Sequence, residues 1–99
     1  MAEMGAIARR VLVDGAVQGV GYREFTRRAA LKLNISGWVR NRPNGTVEAV
    51  IRGPRAAVEA LAAEMRKGSR FAIVNSVIVT DLDETPGDDS GAFVIRPTG

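Results

Sequence analysis

The order of apolar and polar positions divides the chain into strand-like and helix-like segments. Arg10 to Asp14 is a β-branched run that closes at Gly15, which reads as a strand followed by a glycine-bearing loop. From Tyr22 the apolar positions Tyr22, Phe25, Ala29 and Leu33 recur at helical spacing, with Arg27, Arg28 and Lys32 on the other side, and predict a helix over 22–33. Ile35 to Arg42 and Thr46 to Arg52 flank Pro43-Asn44-Gly45, a turn sequence that predicts a β-hairpin, and Val47, Ala49 and Ile51 fall on one face of its second strand. Gly53-Pro54 opens a second helix with Val58, Leu61, Ala62 and Met65 as its buried stripe and Gly68 as its stop. Phe71 to Leu82 is an Ile/Val-rich strand whose alternation breaks around Asn75-Ser76, where a bulge is expected. A polar loop follows over 85–91, and 92–96 is expected as a short edge strand.

Strand, helix, strand, strand, helix, strand is the order of a split βαβ unit, so the fold class is α+β: a ferredoxin-like βαββαβ sandwich, an antiparallel sheet with two helices on one face. One domain is expected over residues 1–99, with 1–6 as a flexible tail.

Composition narrows the chemistry. Hydrophobic residues make up 45% of the 99, enough for one modest core. The formal charge of +3 is a small excess over a well-mixed background of 14 basic and 11 acidic side chains, and is weak evidence for nucleic acid. The absence of Cys removes a disulfide framework, a thiolate nucleophile and the usual structural zinc site, and favours the cytoplasm. The absence of His removes the commonest proton-transfer side chain near neutral pH, so any catalysis must work by other means. Neither a signal-peptide pattern nor a spanning apolar window is present.

The candidate chemistry sits in Gln18-Gly19-Val20-Gly21-Tyr22-Arg23, between a strand end and a helix start. Amides in such a loop point outward, the helix N-terminus adds partial positive charge, and glycines admit a ligand close to the backbone, which outlines an anion site. Helix-end dipoles contribute about 0.3–1 kcal/mol to an exposed charge, against roughly 1.5–3 kcal/mol for each hydrogen bond to a charged group, so Arg23 should dominate. Its planar fork can grip two phosphate oxygens at once. Local pattern leaves the alternative open that Gly19 and Gly21 only let the chain turn. A Walker loop is excluded by the lack of Gly-Lys-Ser/Thr, and a dinucleotide fingerprint by Glu24 at the place of its third glycine.

"VDGAVQGVGYREF" followed by "SGWVRNRPNGTVEAVIRG" strongly resembles the two signature stretches of the acylphosphatase family, from about Val11 to Gly53. The resemblance implies hydrolysis of the carboxyl-phosphate bond of small-molecule acyl phosphates without metal or organic cofactor. It implies that Gln18, Gly19, Val20, Gly21 and Tyr22 form the phosphate-cradling loop, that Arg23 binds the phosphate, and that Asn41 positions the attacking water. Two departures are mild: Tyr22 stands where phenylalanine is common, and Asn34 where glycine often follows the first helix. Read locally, Asn41 belongs to a polar hairpin approach, where Asn commonly satisfies turn backbone.

The chemistry implied tolerates the lack of histidine. The leaving carboxylate has a conjugate acid of pKa about 4 and needs no general acid. Among other polar residues, Glu48 reads as a surface or cross-strand partner, Glu24 as a favourable first-turn charge, Trp38 as core, and Arg9, Arg10, Arg27, Arg28 and Lys32 as solvated surface. An RNA-binding module of the same topology would need aromatic stacking residues on its middle strands, and Thr46 to Arg52 has none. A non-catalytic phosphate sensor, or a regulatory domain of a larger protein, is the other rival; the chain's ends, with no trailing linker, favour the expectation of a free-standing enzyme, and a monomer is expected.

Overall fold

The computed structural model describes residues 6–82 and 92–99. The expected tail, apart from Ala6, and the polar loop over 85–91 lie outside the described residues. The elements run β1 (Ile7–Ala16), α1 (Tyr22–Lys32), β2 (Ser36–Asn41), β3 (Val47–Gly53), α2 (Arg55–Lys67), β4 (Ile73–Leu82) and β5 (Phe93–Ile95).

The strands form one sheet in the order β4-β1-β3-β2-β5. The four strands of the expected βαββαβ unit pair antiparallel. The edge strand expected over 92–96 is present as β5 and joins β2 in parallel, Gly37 opposite Phe93 and Val39 opposite Ile95, so the sheet is mixed. Pairing on both sides extends β1 well beyond the β-branched run at its centre. The irregularity expected in β4 is real: Asp14 pairs with Ser76 and Gly15 with Val74, which leaves Asn75 as the extra residue of a bulge.

One face of the sheet carries the core. Val11, Ala49 and Val39 lie in register across β1, β3 and β2, each fully buried. On this face α1 contacts β2 and β5, while α2 contacts β1, β3 and β4. The stripe Val58, Leu61, Ala62 and Met65 is buried as its spacing predicts, and full burial of such side chains is worth about 1.5–3 kcal/mol each. The next rung of the same face is Val13, Val47 and Asn41. A carboxamide therefore occupies a core-side position at the end of β2.

Helix α1 stops because Asn34 adopts a left-handed φ of 56°. The Ile35 amide then donates to the Ala30 carbonyl at 2.9 Å and the Asn34 amide to the Leu31 carbonyl at 3.2 Å, the double bond of a Schellman end, in which Asn is tolerated where Gly is usual.

Trp38 is a correction. It is not core: Gly37, Val39 and Asn41 point to the helices, so Trp38 is on the opposite, open face, its ring flanked by the guanidinium carbons of Arg96 at 4.6 Å and Arg40 at 5.0 Å. Glu48, on that face, is a cross-strand partner rather than a solvated group. Its carboxylate accepts from Arg10 Nε at 2.6 Å, Arg40 Nε at 2.9 Å and Arg42 Nη1 at 2.9 Å, and its side chain is 7% exposed. Arg10 accordingly is not simply solvated surface. Among the described residues no helix is long and apolar enough to cross a membrane.

Candidate active site

The turn from β1 to α1 is built around two left-handed glycines, Gly19 at φ 76° and Gly21 at φ 79°. A Cβ at either would meet nothing within 4 Å among the described residues beyond its chain neighbours, so backbone conformation rather than crowding calls for glycine there. Gly21 is the N-cap of α1 and supplies no side-chain cap. The amide donors of the first turn are thus left for another acceptor.

Val17, before the glycines, is buried in the core. Gln18 fixes the loop from the other side: its Nε2 donates to the carbonyl of Arg42 at 2.8 Å and to that of Thr46 at 2.9 Å. Both acceptors belong to the β2–β3 hairpin, so the loop is held beside the strand end that carries Asn41. That strand end is itself pinned, because the Gly99 amide donates to the Asn41 carbonyl at 3.1 Å.

A cavity of about 170 Å³ opens between loop, helix start and strand end, lined by Gly19, Gly21, Arg23, Asn41, Val17 and Ile95 among others. At about 30 Å³ per liquid water it has room for a phosphate-sized anion and a little solvent. Arg23 and Asn41 share it. The Asn41 Oδ1 atom is buried and has no hydrogen-bond partner among the described residues. Such an atom costs roughly 1–3 kcal/mol in lost hydration unless something occupies the cavity to satisfy it.

The loop residues are used unequally. Gly19, Gly21, Tyr22 and Arg23 line the cavity. The Gln18 side chain is spent on the hairpin carbonyls, and Val20 packs against the core, so these two face the cavity with main chain at most. Tyr22 is buried, and its hydroxyl donates to the Met65 carbonyl at 2.7 Å, joining the start of α1 to the end of α2. Burial pushes its phenol well above the usual range.

Charge around the cavity is positive at Arg23. Glu24, the adjacent acid, is engaged elsewhere: Arg27 donates to it through Nε at 2.8 Å and Nη2 at 2.7 Å, and Arg28 through Nε at 2.9 Å. Those hydrogen bonds, Arg27 before Arg28, hold its carboxyl down at about 2. Among the described residues no carboxylate is within ion-pairing reach of Arg23.

Ile95 lines the cavity without any signal in the sequence, because a three-residue edge strand gives no periodicity from which to read its facing.

Comparison with known proteins identifies the family. The family model described as acylphosphatase matches residues 9–95. A curated acylphosphatase of Rhodopseudomonas palustris strain BisB18 is 47% identical over 94 residues, covering 95% of this chain and 90% of the relative. Among solved structures, an acylphosphatase from Bacillus subtilis superposes with a TM-score of 0.85 at 37% identity, covering 91% of this chain and 98% of that one. Another, from Coxiella burnetii, does so with a TM-score of 0.85 at 34% identity, covering 93% and 94%.

Proposed function

Because the chain belongs to the acylphosphatase family, and is thereby a hydrolase of acyl phosphates, we propose that Arg23 and the amides of the 18–22 loop hold the phosphoryl group while Asn41 directs the attacking water. The observation that carries this reading is the buried Asn41 Oδ1, without a hydrogen-bond partner among the described residues, in a cavity shared with Arg23.

Phosphoryl transfer to water passes through a loose transition state and depends mostly on placement and charge stabilisation. The guanidinium of Arg23 matches two phosphoryl oxygens with two parallel N–H donors, and the first-turn amides of α1 take the remaining oxygens. Asn41 Oδ1 accepts a hydrogen bond from one water and orients its lone pair toward phosphorus. A carboxamide is no useful base, so the water proton passes to a phosphoryl oxygen as the P–O bond to the acyl group breaks. The departing carboxylate leaves as an anion and requires no acid.

The reading extends to a monomer acting in the cytoplasm on small-molecule acyl phosphates, with inorganic phosphate as product and competitor and neither cofactor nor nucleic acid involved. It is tested by following benzoate release from benzoyl phosphate with and without a chelator and with added phosphate. Turnover that survives chelation and is competitively inhibited by phosphate is expected. Phosphate binding without turnover would mean a sensor, and loss on chelation would overturn the cofactor-free mechanism.

A further inference from the structure

A second and larger hollow, about 680 Å³, lies between α1 and α2. One wall is the flank of α1, where Phe25, Ala29 and Leu33 are spaced i, i+4 and i+8 and are partly buried against the core. Exposed Ala60 of α2 faces them. This hollow and the cavity holding Arg23 and Asn41 share two lining residues, Gly21 and Glu24. Gly21 has no side chain, with open space where a Cβ would stand. Glu24 is drawn into the forks of Arg27 and Arg28, so its charge is balanced where the two hollows meet.

We propose that the groove between α1 and α2 receives the acyl group of the substrate, and that the preferred substrates are acyl phosphates with a medium-length saturated chain, such as octanoyl phosphate. The inference rests on the phosphoryl site proposed above. Gly21 lines both hollows, so the acyl oxygen of a phosphoryl group held by Arg23 would pass over it into the groove, along the apolar flank of α1. The helix advances about 1.5 Å per residue, so Phe25, Ala29 and Leu33 offer continuous apolar surface over roughly 12 Å. Lys32 and Glu64 are also on the walls of this groove, and their apolar stems add cover while their charged ends remain in water.

The test is kcat/KM for acetyl, butyryl, hexanoyl and octanoyl phosphate, with the parent protein and with Ala60→Trp and Ala60→Glu. Position 60 is exposed on α2 and outside the phosphoryl site, so neither substitution touches the proposed chemistry. A methylene half-covered by the groove is worth about twofold, so kcat/KM should rise on the order of fiftyfold from acetyl to octanoyl phosphate. Ala60→Trp, which fills the groove, and Ala60→Glu, which places a charge in it, should each flatten this rise and leave acetyl phosphate hydrolysis within about twofold of the parent. A flat chain-length profile in the parent, or a rise that survives both substitutions, overturns the groove's role alone. A protein that turns over none of the series refutes the hydrolytic reading, and the groove's role falls with it.

Discussion

The side-chain amide of Gln18 donates a 2.8 Å hydrogen bond to the carbonyl of Arg42, the residue that follows Asn41. Loop and strand end are therefore positioned by one another, and the distance between anion donors and carboxamide is set by this tie and by its companion to Thr46. Gln18→Ala removes both donors at about 1 kcal/mol of stability each. It should lower kcat/KM for benzoyl phosphate about 10- to 100-fold, since a displacement near 1 Å is enough for such a loss. Gln18→Glu should be worse, because a carboxylate would face two carbonyl oxygens with no proton to offer. Steady-state kinetics beside a urea melt separates the two effects.

Tyr22 puts a hydroxyl at the first residue of α1, and the structure gives that hydroxyl a buried acceptor, the Met65 carbonyl. Tyr22→Phe should cost about 1 kcal/mol in chemical denaturation and leave turnover within about twofold, because the hydroxyl points away from the cavity toward α2. A large loss of turnover at parent-like stability would show that the hydroxyl acts in the site.

Glu48 makes stability depend on acid. Burial by itself would raise its carboxyl, but hydrogen bonds from Arg10, Arg40 and Arg42 reverse that and hold it at about 2, below an unfolded value near 4.5. A depressed carboxyl stabilises the fold fully above the unfolded value, and the contribution fades as pH falls from about 4.5 toward 2. The arginines remain about a third exposed, so Glu48→Gln should cost about 3 kcal/mol at pH 7, at the low end for a broken buried pair. It should also flatten the acid limb of the stability curve. Glu24 titrates in the same direction but is a surface pair, so 0.5 M salt should mute its share and preserve most of that of Glu48. Denaturant midpoints from pH 2 to 7 for parent and Glu48→Gln check this.

Where several local signals agreed, the sequence was readable. The hairpin strand with Val47, Ala49 and Ile51, the apolar stripe of α2 and the bulge at Asn75 all follow from period and turn chemistry. That the loop over 18–22 turns through two glycines into a helix start beside Arg23 was legible because these signals coincide within a few residues, and the structure puts Gly19, Gly21 and Arg23 on one cavity. Trp38 was misread because Ser36-Gly-Trp-Val-Arg-Asn41 puts one large apolar residue on each face, and period-two alternation cannot choose between Trp38 and Val39. The pairing with β3 decides it, since Val39 aligns with Ala49. The same ambiguity hid that Asn41 shares the helix-side face with Val39. Gln18 read as part of the anion loop, but its bonds reach residues 24 and 28 positions away, beyond any local pattern.

Arg23→Ala should lose at least the roughly 10²–10³-fold typical of removing a donor that stabilises developing charge. Arg23→Lys should recover little, because a point charge does not reproduce the two-pronged grip. Phosphate inhibition should weaken together with turnover in both variants, since the guanidinium binds the phosphate dianion and holds the transition state more tightly still.

The division of labour between Arg23 and Asn41 is tested most directly in Asn41→Ala, by measuring kcat on benzoyl phosphate and the inhibition constant of inorganic phosphate in the same preparation. The account predicts that kcat falls about a hundredfold or more while the phosphate constant moves by less than about threefold, because the anion cradle is intact and only the water has lost its guide. Parent-like kcat in that variant would contradict it.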